Sequence, residues 1–401
     1  MAKMLLSTAA AAFFADMGLV FAITAILLAL VYAGLMAVYG RGWRSLPDWN
    51  LPTGFLPATH VTVIIPARNE ALYIQPCLES ILAGTYPHEL LEIIVVDDHS
   101  DDGTGLVVRT ISERHPSVRL LNLADFLIPE EKTNAYKKKA LEAGVLQATG
   151  ELIVTTDADC LAGPQWLSLI VSVFQAREQV QLLTAPVGFH RETNLFQRFQ
   201  SLDFLGLMGI TGAGIHYRFQ RMGNGANLAY RKKVFAEVQG YAGYTGQASG
   251  DDMFLIQQVA DHYPEGIFFL KNKAAMVHTE AKPDLHSFLQ QRLRWGTKNT
   301  ALPEWPIRLA LGAVFLFCWS ILFHFLVRPF WPAACLLLMV QLGIKATADY
   351  LFLRLLCRYF DRQDLLRSFW PSFFLHTVYI PVVGTGSLFF KKYAWKGRQV
   401  H

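Results

Sequence analysis

Charged residues are scarce in this chain. Lys, Arg, Asp and Glu make up 17% of its 401 residues, whereas soluble proteins average about 25%. Hydrophobic residues reach 52%, which excludes a disordered chain, because disorder requires low hydrophobicity and high charge. The charges lie mainly in the middle of the chain and the apolar excess lies at its two ends. This distribution argues against an ordinary soluble enzyme and against a pure membrane bundle.

Cysteine and net positive charge are scarce as well. The five cysteines are scattered without a Cys-x-x-Cys pair, which argues against a disulfide framework or a zinc site and is typical of a reducing compartment. The formal net charge is only +4, and the sequence has no zinc-finger, RNP or Lys/Arg-tract signature. We therefore expect no nucleic-acid partner.

The first apolar segment, residues 17–40, contains no charged residue and is long enough to cross a bilayer. It is too long for the apolar part of a signal peptide and lacks a convincing cleavage site, so we predict a signal anchor. Arg41 and Arg44 follow it directly, which places this end in the cytoplasm by the positive-inside rule. Residues 46–60 are rich in proline and polar residues and are typical of a linker.

The chain becomes apolar again after residue 300. Residues 305–327 and 330–353 are each long enough to cross a membrane. A third apolar segment, residues 369–390, has basic residues on both sides. If both sides are cytoplasmic, this segment is re-entrant or lies in the interface. The sequence slightly favours a span that is broken near Pro381.

Short β-branched runs alternate with helix-like segments in the central region. The runs are residues 61–65, 92–96, 118–123 and 151–156, and the helix-like segments between them are 70–83, 103–114 and 133–148. This alternation predicts βαβ units and a mostly parallel, Rossmann-like α/β sheet beside the transmembrane helices. Ligands bind at the carboxyl ends of the strands in such sheets.

Acidic residues follow three of these predicted strands. The first run ends in PARNE (66–70), the second in DDHSDDGT (97–104) and the fourth in DAD (157–159). Each motif alone is an ordinary turn or helix-cap sequence. Together, however, the carboxylates converge on one rim of the sheet. Carboxylates beside a diphosphate are typical ligands of Mg²⁺ or Mn²⁺.

Three further motifs lie downstream. Residues 223–241 contain a glycine-rich loop before a helix, where the backbone can approach a ligand or simply turn. Residues 249–259 place Asp251 and Asp252 at the start of an amphipathic helix; if one caps the helix, the other is available as a base. Residues 286–298 form an amphipathic stretch before a span, which also fits an interfacial helix.

The ordered set PARNE, VVDDHSDDGT, TTDAD, NGANLAYR, GDD and QRLRW resembles the membrane-bound inverting glycosyltransferases of family 2. That group is similar to cellulose, chitin and hyaluronan synthases, poly-N-acetylglucosamine synthase and ceramide glucosyltransferases. The resemblance covers roughly residues 55–300 and implies a GT-A fold. The implied division is a transmembrane anchor at 1–45, a cytoplasmic GT-A domain at 55–283, an amphipathic interfacial helix at 284–304, two transmembrane helices at 305–353, and a basic loop, third apolar segment and basic tail at 354–401.

The resemblance also implies residues for the donor and the metal. The residues that match its nucleotide-sugar positions are Pro66, Ala67, Glu70, Asp97, Asp98, Lys137 and Asp157. Lys138 is an alternative to Lys137. Asp159, the second carboxylate of the D-x-D motif, matches the direct ligand of Mg²⁺ or Mn²⁺. His278 is either a second metal ligand or a structural histidine.

The last two motifs of the set, GDD and QRLRW, imply the residues on the acceptor side of the site. By resemblance, Asp252 is the catalytic base, with Asp251 beside it in the substrate site. Gln291, Arg294 and Trp295 match Q-x-x-R-W, in which the arginine meets the diphosphate and the tryptophan borders the acceptor. A metal absorbs the charge of the leaving diphosphate, and a carboxylate takes the proton of the attacking hydroxyl. One such displacement inverts the anomeric carbon.

The sequence thus predicts an inverting hexosyltransferase of the plasma membrane, with its catalytic domain in the cytoplasm. It moves a sugar from a nucleotide sugar, with UDP favoured, to a lipid or glycan hydroxyl, in contact with membrane lipids. The tail YAWKGR favours a single transfer to a lipid, and a processive polysaccharide synthase is the alternative. A transporter is less favoured, because few spans and no repeat are visible, although Lys345 and Asp349 are spaced to pair. The intact motifs disfavour an inactive regulator.

Overall fold

The computed structural model describes residues 2–127, 135–241, 250–299, 305–389, 393–395 and 398–400. The strands are β1 (Val61–Ala67), β2 (Leu91–Asp97), β3 (Val118–Asn122), β4 (Leu152–Thr155), β5 (Leu182–Thr184), β6 (Val187–His190), β7 (Leu228–Arg231), β8 (Ile267–Phe269), β9 (Val277–Glu280), β10 (Tyr393–Trp395) and β11 (Arg398–Val400). The helices are α1 (Ala2–Ser45), α2 (Ile74–Leu82), α3 (Thr104–Ser112), α4 (Tyr136–Gln147), α5 (Trp166–Ala176), α6 (Leu195–His216), α7 (Lys232–Glu237), α8 (Asp251–His262), α9 (Leu285–Asn299), α10 (Trp305–Val327), α11 (Ala333–Tyr359) and α12 (Phe369–Phe389). Short 3₁₀ turns occupy His88–Leu90, Leu123–Phe126, Gly225–Asn227, Lys273–Ala275 and Gln363–Ser368.

Seven strands form the central sheet in the order β3-β2-β1-β4-β7-β5-β8. All neighbouring pairs are parallel except those of β7, which is antiparallel to both β4 and β5. The four strands predicted from the β-branched runs are all present. Because β7 runs in the opposite direction, the loop that precedes it lies at the rim where β4 ends. Strands β6 and β9 form a separate parallel pair.

The hydrophobic sequence of β1 explains its central place in the sheet. Its side chains are buried on both faces, as expected for a parallel strand covered by helices on both sides. Val63 and Ile65 enter the core that includes residues of α2 and α5. Ile64 enters the opposite core, which includes residues of α4 and α8. The two layers of helices therefore fix the position of the loops that follow the strands.

Four of the described helices are long and apolar enough to cross a membrane. They are Gly18–Ser45, which is part of α1, Trp305–Val327 (α10), Ala333–Tyr359 (α11) and Gln363–Phe389, which joins the last 3₁₀ turn to α12. Four such helices are the architecture of a multi-pass membrane protein. The second of the two predicted downstream spans runs further than expected, because α11 continues to Tyr359.

The third downstream apolar segment, residues 369–390, was expected to be broken near Pro381. In the structure, α12 continues through Pro381 without a break. Pro381 is buried, and α12 packs against α6, α9 and α10. Packing of this kind allows an apolar helix to keep its path although proline removes one backbone hydrogen bond.

The edge of the sheet is joined to the end of α1. Lys271, two residues after β8, donates hydrogen bonds from Nζ to the carbonyl oxygens of Trp43 at 3.0 Å and Leu46 at 2.8 Å. Its ammonium also lies 3.1 Å from Asp48 Oδ1. The predicted linker is held here too, since Trp49 N–H donates to the carbonyl oxygen of Lys271 at 3.0 Å. Lysine at the carboxyl end of a helix satisfies carbonyl groups that have no partner within the helix.

Helix α6 lies between the sheet and the apolar helices. It packs against α1, α11 and α12 as well as against β6 and β8. A Cβ atom added at Gly209 would lie 2.6 Å from Leu356 Cδ1 of α11, so only glycine permits this close approach. Helix α6 therefore connects the α/β domain to the apolar helices.

Candidate active site

The loops after β1 and β2 are locked together. Arg68 Nη1 donates to the carbonyl oxygen of Asp98 at 2.7 Å, and Asn69 N–H donates to Ser100 Oγ at 3.0 Å. Asn69 and His99 both adopt positive φ angles, of 53° and 55°, a conformation that asparagine tolerates better than most residues. These contacts give the rim a fixed shape.

This rim gathers the predicted nucleotide residues. Ala67 and Asp97 are opposite each other in the sheet, and Asp98 N–H donates to the carbonyl oxygen of Ala67 at 2.8 Å. The Asp98 carboxylate is buried and its Oδ1 lies 2.9 Å from His99 Nδ1. Pro66 and Glu70 flank the same turn, and Glu70 N–H donates to Thr104 Oγ1 at 2.8 Å.

A lysine joins three acidic residues at the next part of the rim. Lys137 Nζ, on α4, lies 2.7 Å from Asp157 Oδ1 and 3.7 Å from Asp251 Oδ2. Burial alone lowers the pKa of Lys137, but the carboxylates of Asp157, Asp251 and Asp252 outweigh it and raise that pKa well above its ordinary value. Lys137 therefore carries a positive charge at neutral pH. Its neighbour Lys138 is buried and lies over the Phe254 ring instead.

The glycine-rich loop before β7 completes this cluster. Gly225 N–H donates to Asp252 Oδ2 at 3.3 Å. A Cβ atom added at Gly225 would lie 3.1 Å from Asp251 Oδ2 and 3.8 Å from Lys137 Nζ, so the backbone is in direct contact with the charged groups. The carbonyl oxygen of Gly225 accepts a hydrogen bond from Thr155 Oγ1 at 2.7 Å. Strand β7, which was not predicted, places this loop against β4.

Asn227 shows that part of the same loop is structural. Its amide nitrogen donates to the carbonyl oxygens of Pro186 at 2.7 Å and Ala275 at 2.8 Å, and its Oδ1 accepts from Trp166 Nε1 at 2.9 Å. The side chain is completely buried. It therefore holds the loop rather than facing a ligand.

Asp251 and Asp252 are the first two residues of α8, and the expectation that one of them is its N-cap is wrong. Gly250, with φ of 95°, occupies the cap position, which glycine adopts without strain. Asp252 Oδ1 accepts from Met253 N–H at 2.8 Å. The positive end of the helix stabilises both carboxylates.

The D-x-D loop continues past Asp159 to a backbone bridge. Leu161 and His278 exchange two backbone hydrogen bonds, of 2.8 and 2.9 Å. The His278 ring lies 6.1 Å from the His190 ring, and burial together with the charges of His190 and Arg362 lowers the pKa of His278. His278 is therefore neutral at physiological pH. A metal role for it stays a prediction.

The carboxylates of the rim are hard oxygen ligands, which suit Mg²⁺ or Mn²⁺. Within the described residues, no three His, Cys, Asp or Glu side chains are arranged as a complete metal site. Magnesium sites commonly use only one or two protein carboxylates and complete their coordination with substrate phosphates and water. The partly exposed Asp157 and Asp159 fit this second type of site.

The predicted Q-x-x-R-W residues lie on α9. Gln291 Oε1 is buried and has no hydrogen-bond partner among the described residues, whereas Arg294 is partly exposed. Trp295 packs on Phe204 of α6 at a ring distance of 5.8 Å. The sequence motif did not single out Arg292, which lies over the Trp295 ring at 4.5 Å.

Two family sequence models match the chain. The model described as Glycosyl transferase family group 2 matches residues 152–381, and the one described as Glycosyl transferase family 2 matches residues 62–239. The chain belongs to glycosyltransferase family 2. The resemblance seen in its ordered motifs is thereby confirmed, and so is the α/β GT-A fold with long apolar helices.

Known proteins similar to this glycosyltransferase include a probable glycosyltransferase, YdaM, of Bacillus subtilis strain 168. It is 26% identical over 263 residues, which is 64% of this chain and 58% of the relative. The poly-β-1,6-N-acetyl-D-glucosamine synthase of Staphylococcus epidermidis is 22% identical over 149 residues, 37% of this chain and 34% of that one. The chain thus spans from about a third to somewhat over half of these relatives.

A solved structure is similar over most of the glycosyltransferase. The mannosyltransferase PcManGT from Pyrobaculum calidifontis, in complex with GDP-Man and Mn²⁺, superposes with a TM-score of 0.57 and 22% identity. The match covers 92% of this chain and 99% of that one. The likeness shows that the two proteins share a fold, including the apolar helices.

Proposed function

We propose that this family 2 glycosyltransferase moves a sugar from a nucleotide sugar to a hydroxyl group of a lipid or glycan acceptor, with inversion at the anomeric carbon. The observation that carries the proposal is the contact of Lys137 with Asp157 and Asp251 beside Asp252 and Gly225. Side chains from three separate segments and the backbone of a fourth, at Gly225, meet at the carboxyl rim of the sheet, where α/β proteins bind nucleotides.

The donor binds, in this proposal, along the rim formed by β1, β2 and β4. Pro66 and Asp98 contact the base and nucleoside, and the positively charged Lys137 faces the diphosphate. Asp159, with Asp157, would hold Mg²⁺ or Mn²⁺, and such an ion supplies positive charge that stabilises the departing diphosphate. The Mn²⁺ in the mannosyltransferase complex is consistent with this choice of ion.

Asp252 is proposed as the general base. The acceptor oxygen forms a bond to the anomeric carbon, the bond from that carbon to the diphosphate oxygen breaks, and the hydroxyl proton moves to a carboxylate oxygen of Asp252. Backbone N–H groups of Gly225 and Met253 hold the two oxygens of this carboxylate. Asp252 is the second residue of α8, so the positive end of that helix faces its carboxylate.

The apolar helices support a reaction at a membrane. Arg41 and Arg44 are exposed at the end of α1 that joins the α/β domain, and the positive-inside rule favours a cytoplasmic side for that domain. We propose residues 55–283 as the catalytic domain and the plasma membrane as its location. The predicted tail motif YAWKGR includes residues 396 and 397, which lie outside the described part of the chain. A single transfer to a lipid is proposed, with processive synthesis as the alternative.

The test starts with the full chain purified in detergent. UDP- and GDP-sugars are screened with Mn²⁺ or Mg²⁺ for release of the nucleoside diphosphate, and the mass of the product separates one added sugar from many. Asp252→Asn is expected to lower kcat by about 10²- to 10⁴-fold, as for other general bases, with the nucleotide affinity kept. Asp261→Asn is the matched control. It makes the same chemical change on the same helix α8, at a carboxylate whose Oδ1 accepts a hydrogen bond from Gln257 Nε2 at 2.8 Å.

Two outcomes contradict the proposal at different levels. If no nucleotide sugar is turned over under any metal condition, the glycosyltransferase activity itself is wrong. If sugars are turned over but Asp252→Asn keeps a kcat close to that of Asp261→Asn, the assignment of the base is wrong and the activity stands.

A further inference from the structure

Buried polar side chains form a continuous path through the apolar helices. The Tyr32 hydroxyl of α1 donates to Asp349 Oδ1 of α11. Lys345 Nζ lies 2.6 Å from Asp349 Oδ2, as its spacing predicts, and 3.2 Å from His376 Nδ1 of α12. Lys345 is completely buried. Ionisable side chains inside apolar helices are energetically expensive, so they generally mark a functional requirement.

Asp203 is the point at which this path reaches α6. Its Oδ1 accepts a hydrogen bond from the Tyr379 hydroxyl at 3.0 Å and lies 3.8 Å from His376 Nε2. Its Oδ2 lies 2.8 Å from Arg292 Nη2 of α9. The side chains of Asp203 and Arg292 are only 10% and 6% exposed. One carboxylate therefore joins α12 and α9 to α6.

The surroundings of this ion pair are aromatic. The rings of Phe199 and Phe288 lie 5.7 Å apart, and each lies 5.6 Å from the Tyr379 ring. Little water reaches such a site, so the attraction between Asp203 and Arg292 is weakly screened. In some proteins a buried ion pair selects one arrangement of the elements that carry it.

Arg292 links the ion pair to the acceptor residues predicted on α9. Its guanidinium lies 4.9 Å from the Phe288 ring and 4.5 Å from the Trp295 ring. Trp295 also contacts Phe204, the residue next to Asp203. The rotation of α9 about its axis is thus set by Arg292, and Gln291 and Arg294 lie on the same helix.

We propose that Asp203 and Arg292 are positioning residues for the transfer reaction, because they fix the orientation of α9 and its acceptor-side residues. This inference rests on the proposed function. Lys345 and His376 support the pair from the side of the apolar helices. The donor rim at Lys137 is built on the sheet and on α4 and α8, and Arg294 alone among the predicted donor residues lies on α9. Loss of the pair therefore slows transfer much more than it weakens nucleotide binding.

A purely structural role makes a different prediction. A buried ion pair that only fills space is replaced by apolar residues of similar volume without loss. The double variant Asp203→Leu/Arg292→Met distinguishes the two roles, since it keeps apolar packing at both positions and removes the ionic contact. Under the positioning role it folds and binds the nucleotide but transfers poorly.

The experiment uses the full chain in detergent and in membrane vesicles of the producing cells. Binding of the nucleoside diphosphate is measured by calorimetry, and transfer by incorporation of radiolabelled sugar into the vesicles. We expect Asp203→Asn, Arg292→Met and the double variant to transfer about 100-fold more slowly, the loss typical of a small displacement of positioned groups. Arg198→Met is the control, because it breaks an ion pair that joins the same helix α6 to Asp364, which is not part of α9.

Hydrogen exchange provides a readout that does not depend on activity. The amides of α9 are expected to exchange faster in Asp203→Asn, whereas those of β1 and β4 exchange as in the unsubstituted protein. The inference is overturned if transfer is retained, or if nucleotide binding and exchange protection of the sheet are lost together with it. If the unsubstituted protein transfers no labelled sugar, the proposed function fails, and the exchange of α9 still decides whether Asp203 orients it.

Discussion

Replacing Lys271 by methionine is expected to loosen the junction between the sheet and the first apolar helix. Lys271 is 6% exposed and donates to the carbonyl groups of Trp43, in the last turn of α1, and of Leu46, which directly follows the helix. Its ammonium also lies 5.1 Å from the ring centres of Trp43 and Tyr359. Methionine has a similar length and an apolar stem, so the substitution removes mainly the charge and its hydrogen bonds.

The size of the effect follows from these contacts. Hydrogen bonds from a charged donor contribute about 1.5 to 3 kcal/mol each, and each cation–π contact adds about 0.5 to 1 kcal/mol or more. Removing the ammonium also relieves a desolvation penalty of several kcal/mol, which offsets about half of the loss. We expect the free energy of unfolding to fall by about 3 kcal/mol. For a domain of this size the Tm then falls by about 6 to 12 °C.

The assay is thermal unfolding in detergent, followed by intrinsic fluorescence at one heating rate. Lys273→Met is the matched control, because Lys273 lies two residues further on, is 62% exposed and pairs with Asp361 at 2.5 Å. Exposed pairs contribute about 0 to 1 kcal/mol, so the control should lose at most a few degrees. The reasoning is refuted if the Tm values of the two variants agree within about 2 °C.

The other predictions concern the rim of the sheet. Lys137→Met should weaken donor-nucleotide binding by about tenfold or more, since a charged contact is lost. Calorimetry with Lys139→Met, which removes a lysine paired with Glu142 on the same helix α4, should show no such change. Gly225→Ala should lower kcat by about tenfold with little change in Tm, because its Cβ atom forces a carboxylate at 3.1 Å to move; an unchanged kcat would show that this carboxylate position is not critical. The lowered pKa values of His190 and His278 mean that the unfolded chain binds more protons below about pH 6.5, so stability is full above that pH and falls as the pH drops. Unfolding in denaturant at pH 5 to 8 should show this slope, and His278→Gln should flatten it.

The core of the fold was predictable because its signals are local. The run at 61–65 is buried on both faces in β1, and a short apolar run bounded by turn residues reports such a strand directly. The positions of Asp157 and Asp251 were predictable for the same reason. Asp157 closely follows the end of β4 and Asp251 begins α8, and the carboxyl ends of parallel strands lie at one rim of the sheet.

Helix α6 was missed because its determinants lie elsewhere in the chain. Its sequence contains four glycines, each of which disfavours an isolated helix by about 1 kcal/mol. Gly209 is needed because Leu356 packs against the backbone there, and that contact is invisible until α11 is in place. The pairing of Asp203 with Arg292 is hidden for the same reason, since neither residue forms a recognisable motif with its neighbours along the chain.

The contact of Lys271 with the end of α1 can form only late in the synthesis of the α/β domain. The lysine is synthesised 225 positions after Leu46, whose carbonyl group it satisfies. At about 5 to 20 residues per second, translation of the intervening chain takes about 10 to 45 seconds. Throughout this interval the growing α/β domain is tethered to the membrane by α1 and lacks its edge strand β8. The contact that closes the sheet against the first apolar helix is thus a late one, because it cannot form before Lys271 has been synthesised.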